Sequence, residues 1–562
     1  MAEINSAFSE LRCLDCGEIN HGHVLTQECP HCSSEWLHAE YHLGNLDLLI
    51  SNFKDRPFNL WRYSELLPSY NVQPNLKLNE GGTPLIKAES LGAMLGLSKL
   101  YIKDERQGPT ASFKDRQAAV TVAALQSEGR KDAVVCSTGN VAIAYSAQCA
   151  RAGIRLWAFL TSLVPAEKMH EVAIYGTQII KVTGTYDQAK QLAAKFAEDR
   201  GFFFDRGARN VPSIEAMKTI AFEICEQLPV YIPPNRRLLK SPDWYIQSVS
   251  GGMGPLGAYK GFQEFRDAGL CSSVPKMGII QTEGCAPMVR AWKAGNATAD
   301  PVTDPRTYIT TLTTGDPGRS YTELRKIMTE DSGGVMESVS DEEAFRAIHL
   351  LAQLEGISME PAAAVAFAGL LKLVNSGVIQ KDQVVVVNCS GHTKPAERTL
   401  LRDDWAQELD LERIYSEAPQ EGLYAALANL DQENIRRVLI VDDQADARRL
   451  LRRILAAQGE FQVEEAESGT SALACVEANP PDLIVLDLMM PEMDGFSLLD
   501  RLKAHESTRN VAVIVVTAKE LSSSEIGYLK RQNARLMQKG DFLTDDLLEE
   551  IDKALTDPDQ QN

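Results

Sequence analysis

The chain has 562 residues, 44% of them hydrophobic and 24% charged, with a formal net charge of -20. That length exceeds a single hydrophobic core and calls for about three or four folding units; the acidic balance opposes a phosphate-backbone partner, so no nucleic acid is expected. No apolar run approaches bilayer thickness, so no membrane partner is expected, and MAEINSAFSELRC lacks the basic stretch and apolar core of a secretory signal, so a cytoplasmic location is expected.

Four of the eleven cysteines stand at the start, in CLDCGEINHGHVLTQECPHC. Cys13 with Cys16 and Cys29 with Cys32 form two CxxC knuckles twelve residues apart, which together offer four thiolates to one tetrahedral ion. A structural Zn²⁺ site in a ribbon over residues 1–40 follows; two redox-active dithiols are the alternative for the same spacing. His21, His23 and His31 are left out because four thiolates fill the shell. The remaining cysteines are scattered singly, as in a reducing compartment.

Residues 41–404 alternate helical patterns with short apolar strands, and DAVVCSTGN, WYIQSVSGGMG and QVVVVNCSGH each break from a strand into a glycine- or hydroxyl-bearing turn. This is the βα pattern of an open α/β sheet, whose ligands collect at strand ends. In GPTASFKDRQ, Ser112 and Asp115 read as a capping box, which starts a helix at Phe113 and puts Lys114 in its first turn. There the positive helix end disfavours the ammonium form and promotes a neutral, nucleophilic amine. Gly251, Gly252, Met253 and Gly254 form a loop whose backbone N–H groups can cradle a phosphate. Asn140 stands at a strand end where an amide could meet a phenolic oxygen, and Ser390 ends a buried strand with a neutral hydroxyl. Each alone reads as an ordinary cap, turn or solvated charge; together they describe a pyridoxal 5'-phosphate site.

The order of NEGGTPLI, GPTASFKDR, STGN, VSGGMGPLG, MEPAAAVAFAGL and SGHTKP resembles that of threonine synthase and other fold-type II pyridoxal phosphate enzymes, over about 360 residues. The resemblance implies a two-subdomain α/β unit in which Lys114 is the catalytic lysine joined to the cofactor. It further implies that Asn140 contacts the 3'-oxygen, Gly251 to Gly254 hold the phosphate, and Ser390 faces the pyridine nitrogen. A hydroxyl there does not hold the ring protonated, which favours elimination and replacement at the β or γ carbon. The implied reaction takes O-phosphohomoserine and water to threonine and phosphate in a homo-oligomer, expected to be a dimer. Ser213 stands where the family pattern has an arginine for substrate phosphate, Val141 replaces a threonine and Gly252 an asparagine; Arg206, Arg209 or Lys218 are the substitutes at hand. Two alternatives therefore stay open: replacement or elimination on another activated amino acid such as O-phosphoserine, and a non-catalytic amino-acid-sensing module.

An acidic connector is expected over 405–434, followed by a doubly wound α/β domain over 435–557 and a short tail over 558–562. RRVLIVDDQ, DLIVLDLMM and VAVIVVTAK place Asp442 and Asp443, Asp487, and Thr517 at successive strand ends, with Lys539 following in QKGDF. Three convergent carboxylates make an oxygen-rich Mg²⁺ site, and one of them can accept a phosphoryl group. The residues resemble those of a two-component receiver domain of flavodoxin-like fold, with spacings of 44, 30 and 22 from Asp443 through Asp487 and Thr517 to Lys539. The resemblance implies phosphorylation of Asp487 by a sensor histidine kinase or phosphotransfer protein, with Mg²⁺ on Asp442, Asp443, Asp487 and the Met489 carbonyl. Thr517 and Lys539 would bind the acyl phosphate oxygens. Leu536 stands at the usual switch aromatic and Gly540 at the usual proline.

Overall fold

The computed structural model describes residues 8–554 apart from 21–22, 42–52, 54, 69–71, 138, 163, 230–238, 394–406, 411–435, 457–460, 506–507, 510, 518–520, 533, 539–550 and 552–553. The chain divides into two units, 1–417 and 418–562.

In the first unit the strands are, in chain order, β1 (Phe8–Cys13), β2 (Ile19–Asn20), β3 (Leu37–Tyr41), β4 (Leu85–Lys87), β5 (Leu100–Asp104), β6 (Asp132–Ser137), β7 (Arg155–Thr161), β8 (Gln178–Thr183), β9 (Phe203–Phe204), β10 (Trp244–Ser248), β11 (Lys276–Thr282), β12 (Gly334–Val339), β13 (Val385–Cys389) and β14 (Gln407–Asp410). They form three sheets. A small antiparallel sheet, β2-β1-β3, carries the cysteine knuckles. A six-stranded sheet runs β12-β11-β10-β13-β5-β4, parallel except for β4, and a five-stranded parallel sheet runs β14-β8-β7-β6-β9. The central strands WYIQS and VVVNC are buried along their whole length, as parallel strands covered by helices on both faces must be.

One expectation about boundaries changes: Gln407–Asp410, expected in the connector, pair in parallel with β8 and extend the five-stranded sheet. The ribbon packs onto the catalytic unit, where Leu11, Cys13, Cys29 and Leu37 share a core cluster with Val211. A sheet this small buries too little surface to stand alone and gains stability from a larger neighbour.

Helix Lys114–Ser127 and helix Met253–Asp267 both pack against the buried helix Val211–Gln227. At two of these contacts the chain has room only for hydrogen: a Cβ on Gly257 would come 2.3 Å from Met217 Cβ, and one on Gly261 2.3 Å from Lys218 O. Close approach of the backbones brings both helix N-termini toward the same strand ends.

The second unit is a parallel sheet of β15 (Arg436–Val441), β16 (Phe461–Ala466), β17 (Leu483–Leu486), β18 (Ala512–Thr517) and β19 (Ala534–Gln538), in the order β16-β15-β17-β18-β19. This is the doubly wound flavodoxin-like order, whose switch point lies between the first and third strands in sequence. Asp442, Asp487 and Thr517 follow or end β15, β17 and β18.

Candidate active site and receiver carboxylates

A cavity of about 400 Å³ in the first unit is lined by Lys114, Asn140, Ser390 and the whole turn Gly251–Gly254. Lys114 and Ser390 meet because the segment before the lysine pairs with the end of β13. Phe113 N–H donates to Ser390 O at 3.0 Å and His392 N–H to Ala111 O at 2.8 Å, with Ser112 and Gly391 bridged. Ala111 takes a left-handed φ of 59°, a conformation that costs a β-carbon residue energy and is retained where surrounding structure enforces it.

The helix expected to start at Phe113 begins one residue later, with Phe113 as N-cap and Lys114 as its first residue; Lys114 lies in the first turn as expected, but the capping differs. Asp115 turns back to accept from Thr110 N–H at 3.0 Å and from the Thr110 hydroxyl at 2.5 Å, and the Ser112 hydroxyl finds no partner among the described residues. The Ser112–Asp115 capping box is therefore corrected to a Thr110–Asp115 loop clamp: Phe113 is the N-cap, so Asp115 falls at the second helical position where it no longer faces Ser112 as a capping partner, and the adjacent loop offers it two donors. Burial pushes the Lys114 ammonium down to about 8, against the opposing pull of the Asp205 and Glu360 carboxylates. Desolvation leads here, where the sequence reading relied on the helix end.

Gly252 adopts φ +83° and starts helix Met253–Asp267 with no side-chain cap hydrogen bond, so among the described residues the N-cap offers its first N–H groups no side-chain acceptor. The cradle lines the cavity and carries the partial positive charge of a helix start, which suits a phosphate. A Cβ at Gly252 would also come within 3.0 Å of Leu324 Cδ1. Ser250 and Thr314 fix the turn through a 2.6 Å hydroxyl pair.

Asn140 opens helix Asn140–Ala152, and Ser137 Oγ caps that start by accepting from Gly139 and Ala142 N–H. Its Oδ1 accepts from Lys168 Nζ at 2.6 Å, its Nδ2 donates to Glu360 Oε1 at 2.7 Å, and Lys168 donates to Glu360 Oε2 at 2.6 Å. An ammonium only donates, so Lys168 fixes which end of the amide is oxygen and leaves the second Nδ2 hydrogen for a ligand oxygen. Neither Glu360 nor Lys168 was singled out from sequence. Glu360 lies inside the MEPAAAV stretch, a signal that was present, whereas Lys168 is one lysine among many on a helix start.

Of the candidate substitutes for the missing arginine, Arg206 and Arg209 line the cavity. Lys218 does not: it is buried 2.6 Å from Glu215 and 3.0 Å from Glu264, over the Tyr41 ring. Ser213 is fully buried and outside the cavity lining. Lys190 and Arg319, which sequence reading passed over, line it as well, together with Glu35 and Trp36 from the ribbon.

In the ribbon Cys13 Sγ lies 3.6 Å from Cys32 Sγ and Cys16 Sγ 3.7 Å from Cys29 Sγ. A zinc tetrahedron with Zn–S of about 2.3 Å has edges of roughly 3.8 Å, so the four thiols fit that ion. In the second unit the carboxylates of Asp442, Asp443 and Asp487 gather with their oxygens within 4.8 Å of one another. Three anions so close call for a hard cation, which an all-oxygen site provides for. Met489 N–H donates to Asp487 Oδ1 at 3.2 Å, Thr517 is fully buried, and Leu536 is exposed on β19. Lys539 and Gly540 lie outside the described residues.

A cavity joining a lysine, an uncapped glycine turn and a strand-end serine across an open α/β sheet defines a pyridoxal phosphate enzyme of fold type II, and the second unit has the flavodoxin-like fold of a receiver domain. Residues 76–391 match the family model described as pyridoxal-phosphate dependent enzyme, and residues 438–552 that of the response regulator receiver domain. The chain belongs to the pyridoxal-phosphate dependent enzyme family and carries a response regulator receiver domain at its C-terminal end. It is 34% identical to a threonine synthase of Methanosarcina acetivorans over 392 residues, 70% of this chain and 93% of that one. It is 34% identical to a threonine synthase of Halalkalibacterium halodurans over 59% of this chain and 88% of that one. A cysteate synthase of Methanosarcina mazei is 32% identical over 68% of this chain and 91% of its own. Among the described residues no helix is long and apolar enough to cross a membrane.

Proposed function

We propose that the first unit is a lyase that releases phosphate from a phosphorylated amino acid, converting O-phosphohomoserine and water to threonine and phosphate, and that the receiver makes it answer to phosphorylation. The observation that carries this reading is one cavity shared by Lys114, Ser390, the Gly251–Gly254 cradle and two arginines, Arg206 and Arg209.

Pyridoxal phosphate, when bound, supplies an electron sink for negative charge developing on the carbons of an amino acid joined to it. The backbone N–H groups at Gly252 to Gly254 would hold its phosphate, Asn140 its 3'-oxygen and Ser390 its ring nitrogen. Lys114 is the one base this reading needs. With its ammonium lowered to about 8 it gives up a proton near neutral pH, takes the proton from the substrate α carbon and returns it farther along the chain. Arg206 and Arg209 would hold the leaving phosphate by charge-assisted hydrogen bonds, in place of the arginine that Ser213 replaces. In the receiver, Asp442, Asp443, Asp487 and the Met489 carbonyl would hold Mg²⁺, and Asp487 would accept the phosphoryl group from a histidine kinase or phosphotransfer protein, with Thr517 and Lys539 on its oxygens.

Replacement on O-phosphoserine is the second reading, favoured by Ser213 at the position where the family pattern has an arginine and by the likeness to a cysteate synthase. The deciding experiment offers cofactor-loaded protein O-phosphohomoserine with water and, separately, O-phosphoserine with sulfite, and measures phosphate and amino-acid products. Threonine from the first supports the main reading, a product only from the second supports the alternative, and no phosphate release from either defeats both.

A further inference from the structure

Three arginines in the cavity wall are held by residues of the cysteine ribbon. Glu35 bridges two of them: its Oε1 lies 2.5 Å from Arg206 Nη1 and its Oε2 bonds Arg209 Nη1. The third, Arg319, donates to Asp15 Oδ1 at 2.5 Å through Nη1 and lies over the Trp36 ring with Cζ 5.3 Å from the ring centre. Glu323 fixes its Nε at 2.7 Å. Asp15 sits between the two cysteines of the first knuckle, and Glu35 and Trp36 follow the second knuckle after Ser33 and Ser34. All of Glu35, Trp36, Arg206, Arg209 and Arg319 line the cavity that holds Lys114.

We infer that the ribbon is one wall of the substrate-anion subsite, and that Glu35 and Trp36 are positioning residues that set the affinity of the arginines for the substrate's phosphate. The inference rests on the reading of a phosphorylated substrate and extends it to the residues that select for it. Two guanidinium groups close enough to share one carboxylate repel each other; the shared carboxylate keeps both forks side by side and engages a single nitrogen of each. The remaining donors of Arg206 and Arg209 are engaged by no described residue except for the 3.8 Å approach of Arg206 Nη1 to Glu28. A phosphate entering the cavity can therefore be met by two pre-aimed forks without displacing Glu35. The Trp36 ring restrains Arg319 by a cation–π contact, which uses none of its donors. Long arginine side chains lose much rotational freedom on binding an anion, and restraining them beforehand removes part of that cost.

The ribbon thus acts in substrate selection without contributing any group to bond making. This separates its two roles, folding support through the four cysteines and alignment of the arginines through Asp15, Glu35 and Trp36.

The test keeps net charge constant. Glu35→Asp leaves the charge but is one methylene too short to bridge both arginines, and Trp36→Leu keeps apolar bulk but removes the π face. Both full-length variants, loaded with pyridoxal phosphate so that the glycine cradle is filled, are titrated with inorganic phosphate by calorimetry, with zinc and cofactor content measured in parallel. The expected result is phosphate binding weakened roughly tenfold in each variant at wild-type zinc and cofactor content, with KM for the phosphorylated substrate rising by more than kcat falls. Phosphate affinity equal to or tighter than wild type in both variants overturns the inference, and tighter binding identifies Glu35 as a competitor for the site. If neither phosphorylated amino acid is turned over while the variants still weaken phosphate binding, the substrate reading fails and the ribbon's role stands.

Discussion

Arg116 and Glu223 form an ion pair with no solvent exposure, Nη1 standing 2.5 Å from Oε1, two residues along the helix from Lys114. Glu105 takes a second side of the same guanidinium at 2.8 Å, and Lys103 reaches Glu223 at 2.7 Å. The network ties β5, the lysine helix and helix Val211–Gln227 into one rigid frame behind the cavity. Buried ions of this kind are costly to leave unpaired.

Arg116→Leu takes the cation from the buried Glu105 and leaves Glu223 to Lys103 alone. We expect a loss of about 3–5 kcal/mol in unfolding free energy of the first unit, read from denaturant titration. A loss below about 1 kcal/mol, the scale of an exposed pair, would show that water reaches the network.

Lys114→Ala should leave the fold intact and remove both turnover and the visible absorption band of the cofactor–lysine linkage. Borohydride reduction followed by peptide mapping should place the reduced cofactor on Lys114 in the wild type. Reduced cofactor on another lysine would dismiss the assignment.

Burial lowers the Lys114 ammonium from its ordinary value of 10.5 to about 8. The rate at which the apoprotein takes up pyridoxal phosphate should therefore rise with pH to a plateau just above 8, since the neutral amine is the reactive form. The same shift has a sign for stability. Between about 8 and 10.5 the unfolded chain holds more protons than the folded one, so this group's penalty is complete below about 8 and is relieved as pH rises through that window. A cofactor-uptake profile still climbing steeply at pH 10 would contradict the lowered value.

The ribbon should carry about one zinc per chain, and Cys13→Ser or Cys29→Ser should release it. Both cysteines are buried, so the loss should also loosen β1 and β3, seen as faster amide exchange there. Undiminished zinc in both variants would reject the four-cysteine site.

Treatment with acetyl phosphate and Mg²⁺ should label the wild type and leave Asp487→Ala unlabelled. If phosphorylation is coupled to the lyase, its effect on substrate affinity should fall near the usual 1–3 kcal/mol, about 5- to 150-fold. Identical kinetics and association state before and after labelling would make the receiver a docking module.

The amino-acid sequence by itself determined the local chemistry of this protein. CxxC pairs, strand-to-turn breaks at Asn140, Gly251 and Ser390, and aspartates at successive strand ends are legible because residue type and short spacing fix what each backbone turn can present. The order of the receiver strands follows from the same alternation, since parallel strands joined by helices admit few topologies. What only the tertiary structure decided are meetings between segments far apart in the chain. The end of β13 pairs with the loop before Lys114, Glu360 and Lys168 orient Asn140, and ribbon residues hold arginines that follow β9 or open helix Arg319–Glu330. The Asp115 clamp on Thr110 belongs here as well, because a capping pattern names a possible partner and the packed loop supplied a better one. Hydrogen bonds and ion pairs of this kind depend on ångström-scale approach between elements, and that distance is set by core packing, which no short stretch of sequence encodes.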